Sequence, residues 1–73
     1  MNKLIQIKQL SATEYDVIRL GETNVNGHVR LESDEMGWVL DVFIHEQHQE
    51  TIELGKHRPD WSQVVNEMLN WNE

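Results

Sequence analysis

Between Leu4 and Leu54 apolar residues return at every second position, in short runs broken by polar or glycine-bearing segments; beyond Pro59 they return with the period of a helix. A period of two buries one face of a strand, whereas a period of 3.6 buries one stripe of a helix. A chain that changes period once, near its end, is confined to a sheet followed by a helix.

The runs locate the elements. Leu4–Leu10 reads as a first strand, with Ile5 and Ile7 on one face and Gln6 and Lys8 on the other. Residues Ser11 to Gly21 admit two readings. Ser11 and Glu14 have capping-box spacing and Gly21 stands where a helix would stop, but Tyr15-Asp16-Val17-Ile18-Arg19 is rich in strand formers. A second strand, paired to the first through Leu10–Thr13, is the preferred reading. Gly21 to Gly27 reads as a polar connection with a hairpin signal at Asn26-Gly27, because both residues tolerate positive φ. His28–Glu32 follows as a strand, with Val29 and Leu31 on one side, and Ser33–Gly37 as a turn closed by Gly37.

Trp38 to His45 is the clearest strand. Trp38, Leu40, Val42 and Ile44 share one face; Val39, Asp41, Phe43 and His45 share the other. Glu46–Gln49 is expected to turn, and Thr51–Leu54 to form a short strand with Ile52 and Leu54 inward. Pro59-Asp60 then opens a helix: Asp60 suits the N-cap and Gln63 stands at N3. Trp61, Val64, Val65, Met68 and Leu69 form its apolar stripe.

The expected fold is therefore α+β: a small antiparallel β-meander of four to five strands with one C-terminal amphipathic helix packed on one face, as a single domain over residues 1–73. Its expected core is Ile5, Ile7, Val29, Leu31, Trp38, Leu40, Val42, Ile44, Ile52 and Leu54 from the sheet, with Trp61, Val64, Val65, Met68 and Leu69 from the helix. A domain this short buries only roughly 60% of its unfolded surface. With no cysteine it has neither a disulfide nor a thiolate zinc site to add stability. A partner surface, including a second copy, is one way to supply the missing burial. No apolar run approaches the ~20 residues of a membrane span, and no basic segment leads into an apolar one as in a signal peptide. The cytoplasm is the expected compartment.

Composition narrows the function classes. Thirteen acids face six Lys and Arg, for a formal charge of -7. The cations Lys3, Lys8, Arg19, Arg30, Lys56 and Arg58 are few for a phosphate-binding face. A single-strand platform on the outer sheet face, using Lys8, Arg19 and Arg30 beside Tyr15 and Phe43, is the alternative function. Glu14, Asp16, Glu32 and Asp41 oppose it. His45, His48, Glu50 and His57 have donor chemistry for zinc, but they follow no ligand motif and read as a solvated turn, so no metal or other cofactor is expected. Ser11, Ser33 and Ser62 lack a nucleophile context, and Gly21, Gly27, Gly37 and Gly55 are too dispersed for a phosphate loop. A small metal-binding or catalytic domain is the least favoured reading, and the chain is expected not to be an enzyme.

Protein binding needs the fewest assumptions. Val39 and Phe43 lie on a sheet face that should be polar, and Trp71 falls beside the helix stripe, either as an interface anchor or as a lid over Met68. Glu32, Asp34 and Glu35, with Glu22, Glu46, Glu50 and Glu53, are a candidate acidic patch. Such a patch could imitate a phosphate backbone and occupy the groove of a nucleic-acid-binding protein, as small phage or mobile-element inhibitors do. The expected function is a non-catalytic, acidic protein-binding domain, adaptor or inhibitor. Its interface is expected among Val39, Phe43, Trp71, Glu32, Asp34, Glu35, Glu46 and Glu50, and its partner is another protein or itself, through the outer face or an edge strand.

Overall fold

Turns too short to carry a crossover join all neighbouring strands, so every pairing is antiparallel. The computed structural model describes residues 4–71. It contains β1 (Leu4–Ser11), β2 (Glu14–Leu20), β3 (Val25–Ser33), β4 (Gly37–Ile44), β5 (Gln47–Gly55) and α1 (Trp61–Asn70). The five strands lie side by side in chain order, and α1 covers one face. The α+β meander with a C-terminal helix is thus the observed architecture.

The ambiguous second segment is a strand. Its register with β1 places Ile7 opposite Val17 and Gln9 opposite Tyr15, and Tyr15 and Val17 are fully buried. Two turn expectations fail. Asn26-Gly27 lies inside β3, and the connection is made by Gly21–Asn24 instead. Gly27 serves packing there: a Cβ would come within 2.9 Å of both Leu40 Cδ1 and Met68 Sδ, so the ends of those two side chains would have to shift to admit one. The fourth turn is not Glu46–Gln49 but His45-Glu46, both with positive φ (52° and 68°), the conformation of a two-residue hairpin turn. β5 therefore begins at Gln47 rather than Thr51. Neither residue of that turn is a glycine or asparagine, so composition carried no sign of it. Gly37 does turn as expected, with φ 85°, and a side chain at this position would strike the backbone of Gly55.

One cluster makes the core: Tyr15, Val17, Val25, Val29, Trp38, Leu40, Val42 and Leu54 from the sheet with Val64 and Met68 from α1. Ile5, Leu31, Ile44, Ile52 and Trp71 pack on it while partly exposed, and Val65 and Leu69 flank the helix stripe half-buried. Four expected core residues lie outside it: Val65 and Leu69, half-buried on the helix, and Ile7 and Trp61, at the surface. Ile7 is 36% exposed and Trp61 43%. Ile7 stands on edge strand β1, which among the described residues has a neighbouring strand on one side only. Trp61, the first residue of α1, packs edge-to-face with Tyr15, ring centroids 4.8 Å apart, and is otherwise open to water.

Both helix ends are tied to the sheet. The Asp60 side chain accepts from the Gln63 amide at 2.9 Å, a true N-cap. The Gln63 side chain does not close the capping box; it donates to the Leu54 carbonyl at 3.1 Å and fastens the first turn to β5. At the other end α1 carries no basic residue of its own. Arg19 of β2 donates to the carbonyls of Met68 and Trp71, both at 2.9 Å, placing a cation on the negative end of the helix.

Candidate functional site

The sheet has an outer face that no described element covers, and the register orders its side chains in rows. One row crosses the strands as Lys8, Asp16, His28, Asp41 and Thr51; another as Glu14, Arg30, Val39 and Glu53. Opposite charges thus stand beside one another between strands. His28 lies 2.9 Å from Asp16 and 3.4 Å from Glu14. Arg30 Nε donates to Asp41 at 2.8 Å, and Thr51 donates its hydroxyl to the other Asp41 oxygen at 2.6 Å. Because that hydroxyl is used as a donor, Thr51 is left to accept from His48 Nε2 at 2.9 Å, which assigns the proton to Nε2.

This network fixes the charge of Asp41. Burial pushes its carboxyl up, but hydrogen bonds from Thr51 and Arg30, the Arg30 charge and the His48 contact outweigh it, and the net direction is down. The same pair raises Arg30, chiefly through its hydrogen bond to Asp41. A carboxyl with a depressed folded value contributes stability that is complete above its unfolded value and is lost as pH falls through the lower folded one. Asp41→Asn should therefore cost roughly 1–2 kcal/mol at neutral pH, a modest figure because Arg30 is partly in water. The wild-type advantage over the variant should shrink on acidification below the usual carboxylate range. Urea unfolding of both proteins across that range checks this; a pH-independent difference would rule the ionised network out.

The expected interface residues do not converge. Val39 is on the outer face but only 2% exposed; it stands between Arg30 and Glu53, whose long stems flank it, and offers a partner almost nothing. Phe43 is half-buried beside His48, their ring centroids 5.4 Å apart. It borders an open hollow of about 450 Å³ with Asp16, Ile18, Asn26 and His28. A second hollow of about 520 Å³, lined by Gln6, Lys8, Asp16 and Ile18, adjoins it. Trp71 lies on the opposite side of the sheet, packed against the core, with Nε1 donating to Glu50 at 2.8 Å.

The acids divide as well. Glu32, Asp34 and Glu35 surround the β3–β4 turn, whereas Glu46 lies in the β4–β5 turn and Glu22 in the β2–β3 turn beside it, at the other end of the sheet. The eight residues of β4, at about 3.3 Å each, hold the ends roughly 25 Å apart. Glu50 faces inward opposite Val42, and Glu53 faces outward opposite Val39.

The cations form no stripe among the described residues. Arg19 is on the helix side, Arg30 is paired with Asp41, Lys8 stands opposite Asp16, and Arg58 lies 5.1 Å from the Tyr15 ring centroid. Lys3 lies outside the described residues. His45 is in a turn, His48 on the outer face, Glu50 on the inner face and His57 beyond β5 at the far end. Among the described residues no three His, Asp or Glu side chains could hold a metal ion. Ser11 Oγ accepts from the Thr13 amide and Ser33 Oγ from the Met36 amide, so both hydroxyls close turns. No described helix is long and apolar enough to cross a membrane.

The remaining surface feature is β1. Of the five exposed large apolar side chains among the described residues, Leu4, Ile7 and Leu10 lie on this one strand, at 63%, 36% and 46% exposure; Met36 and Trp61 are the others. β1 is an edge strand, hydrogen-bonded to β2 on one side only. The two edges are treated differently. β5 carries Glu50 and Glu53 and has register irregularities at two places, devices that discourage further pairing. β1 carries Lys8 as its one charge and has a single irregularity, near its end between Gln9 and Ser11. Sequence reasoning named an edge strand as one route to self-association but singled out none of these three residues, since Ile7 was assigned to the core. The signal was present as an apolar, nearly uncharged strand at the start of a meander, where a strand has only one neighbour. Comparison with protein-family models, with curated proteins and with solved structures gives no match for this chain.

Proposed function

We propose that the protein is a non-catalytic protein-binding domain that engages its partner by strand addition at β1. The observation that carries this reading is the concentration of exposed apolar side chains on an eight-residue edge whose one charge is Lys8. An edge of this kind presents a row of free amide and carbonyl groups; main-chain hydrogen bonds supply affinity, and alternate side chains supply specificity. The acid excess keeps the rest of the surface soluble and discourages anionic partners.

The test compares affinity capture from host lysate by the wild-type protein and by Ile7→Lys, with nuclease present. Ile7 is exposed enough for the substitution to leave the fold intact, which circular dichroism checks. A protein captured by the wild type and lost with the variant is the expected result. Capture that is unchanged by Ile7→Lys would move the interface elsewhere, and capture that vanishes with nuclease would favour nucleic acid instead.

A further inference from the structure

The edge that β1 leaves open is complementary to itself, and we infer that its occupant is β1 of a second copy, giving a two-fold symmetric dimer with one continuous sheet. The inference rests on the strand-addition reading above and names its partner.

A two-fold axis perpendicular to the sheet joins antiparallel edges and keeps both helices on one side. It also requires directly opposed residues to share a face, so only registers centred on a residue are allowed. Centring on Ile7 sets Ile7 against its own copy on the inner face, Gln6 against Lys8, Ile5 against Gln9, and Leu4 against Leu10 at each end. Each exposed apolar residue of β1 then meets another, and no like charges are opposed. The neighbouring registers are worse. Centring on Lys8 opposes two ammonium groups and leaves Leu10 against Gln6, and centring on Gln6 sets Leu4 against Lys8. The exposed side chain of Ile7 is covered by the same residue of the other copy. Leu10, the extra residue at the bulge, needs no alignment with β2 to reach its partner.

The experiment uses the full chain. Sedimentation over a dilution series should give twice the 8.6 kDa chain mass at the upper concentrations. Ile7→Lys, which opposes two like charges at the axis, should raise the dissociation constant at least about tenfold with unchanged circular dichroism. The chain has no native cysteine, so single replacements report the register. Ile7→Cys should oxidise to a covalent dimer, since directly opposed Cβ atoms lie about 4.5–5.5 Å apart. Leu4→Cys should not, because in this register its copy lies six positions away along the strands, on the order of 20 Å. A dimer insensitive to Ile7→Lys, or one cross-linked as well through Leu4→Cys, would overturn the inference. So would a wild type that stays monomeric throughout. If that monomer still captured a protein through Ile7, strand addition would stand and only the second copy would fall.

Discussion

Trp38→Ala should lower the unfolding free energy by about 3–5 kcal/mol, the cost of removing a large aromatic side chain from a packed core. Trp38 is 7% exposed, stands opposite Leu31 of β3, and lies 6.4 Å from Tyr15, ring centroid to centroid. Tyr15 in turn supports Trp61 on the helix, so the indole is the base of an aromatic stack that links β4, β2 and α1. Domains of this size lie at the low end of the usual ~5–15 kcal/mol of stability, so the variant should retain only roughly 0–2 kcal/mol. Urea unfolding followed by circular dichroism measures this without relying on the deleted fluorophore. A near-neutral result would mean that β4 presents the wrong face to the helix.

Met68→Ala should cost about 2–5 kcal/mol, and Gly27→Val about 1–3 kcal/mol through overpacking. Their combination should cost less than the sum. Met68 is fully buried, and its sulfur and methyl occupy the space a side chain at position 27 would enter, 2.9 and 3.3 Å from an ideal Cβ. Removing the thioether opens a void; the valine methyl groups partly fill it. A coupling of roughly 0.5–3 kcal/mol is expected for side chains in direct contact. Leu40 Cδ1, also 2.9 Å from that Cβ, limits the rescue to a partial one. Strict additivity in the double-mutant cycle would show that the helix does not seat over Gly27.

The helix and the strands β1, β3 and β4 were legible because their signals are local. Alternation sets which face of a strand is apolar, and Asp60 caps α1 whatever lies above it. The β4–β5 turn was missed because His45 and Glu46 adopt positive φ without the residues that usually announce it. Asn26-Gly27 misled for the opposite reason: the dipeptide suits a turn, but it lies inside a strand, where Met68, more than forty positions later, packs closely over the glycine.

The candidate site divides along the same line. That Val39 and Phe43 share the outer face follows from parity alone, and the pairing bears it out. That Val39 is covered depends on Arg30 and Glu53 arriving on either side of it, which is a property of register. Likewise, Trp71 meets Glu50 and Arg19 meets the helix terminus only because α1 crosses the sheet as it does. Sequence by itself determined the periods, the faces and the one change from strand to helix, because those depend on neighbours within a few residues. Tertiary structure alone decided which acids share an end, which cations are already paired and which edge is left open, because each depends on residues brought together from distant parts of the chain.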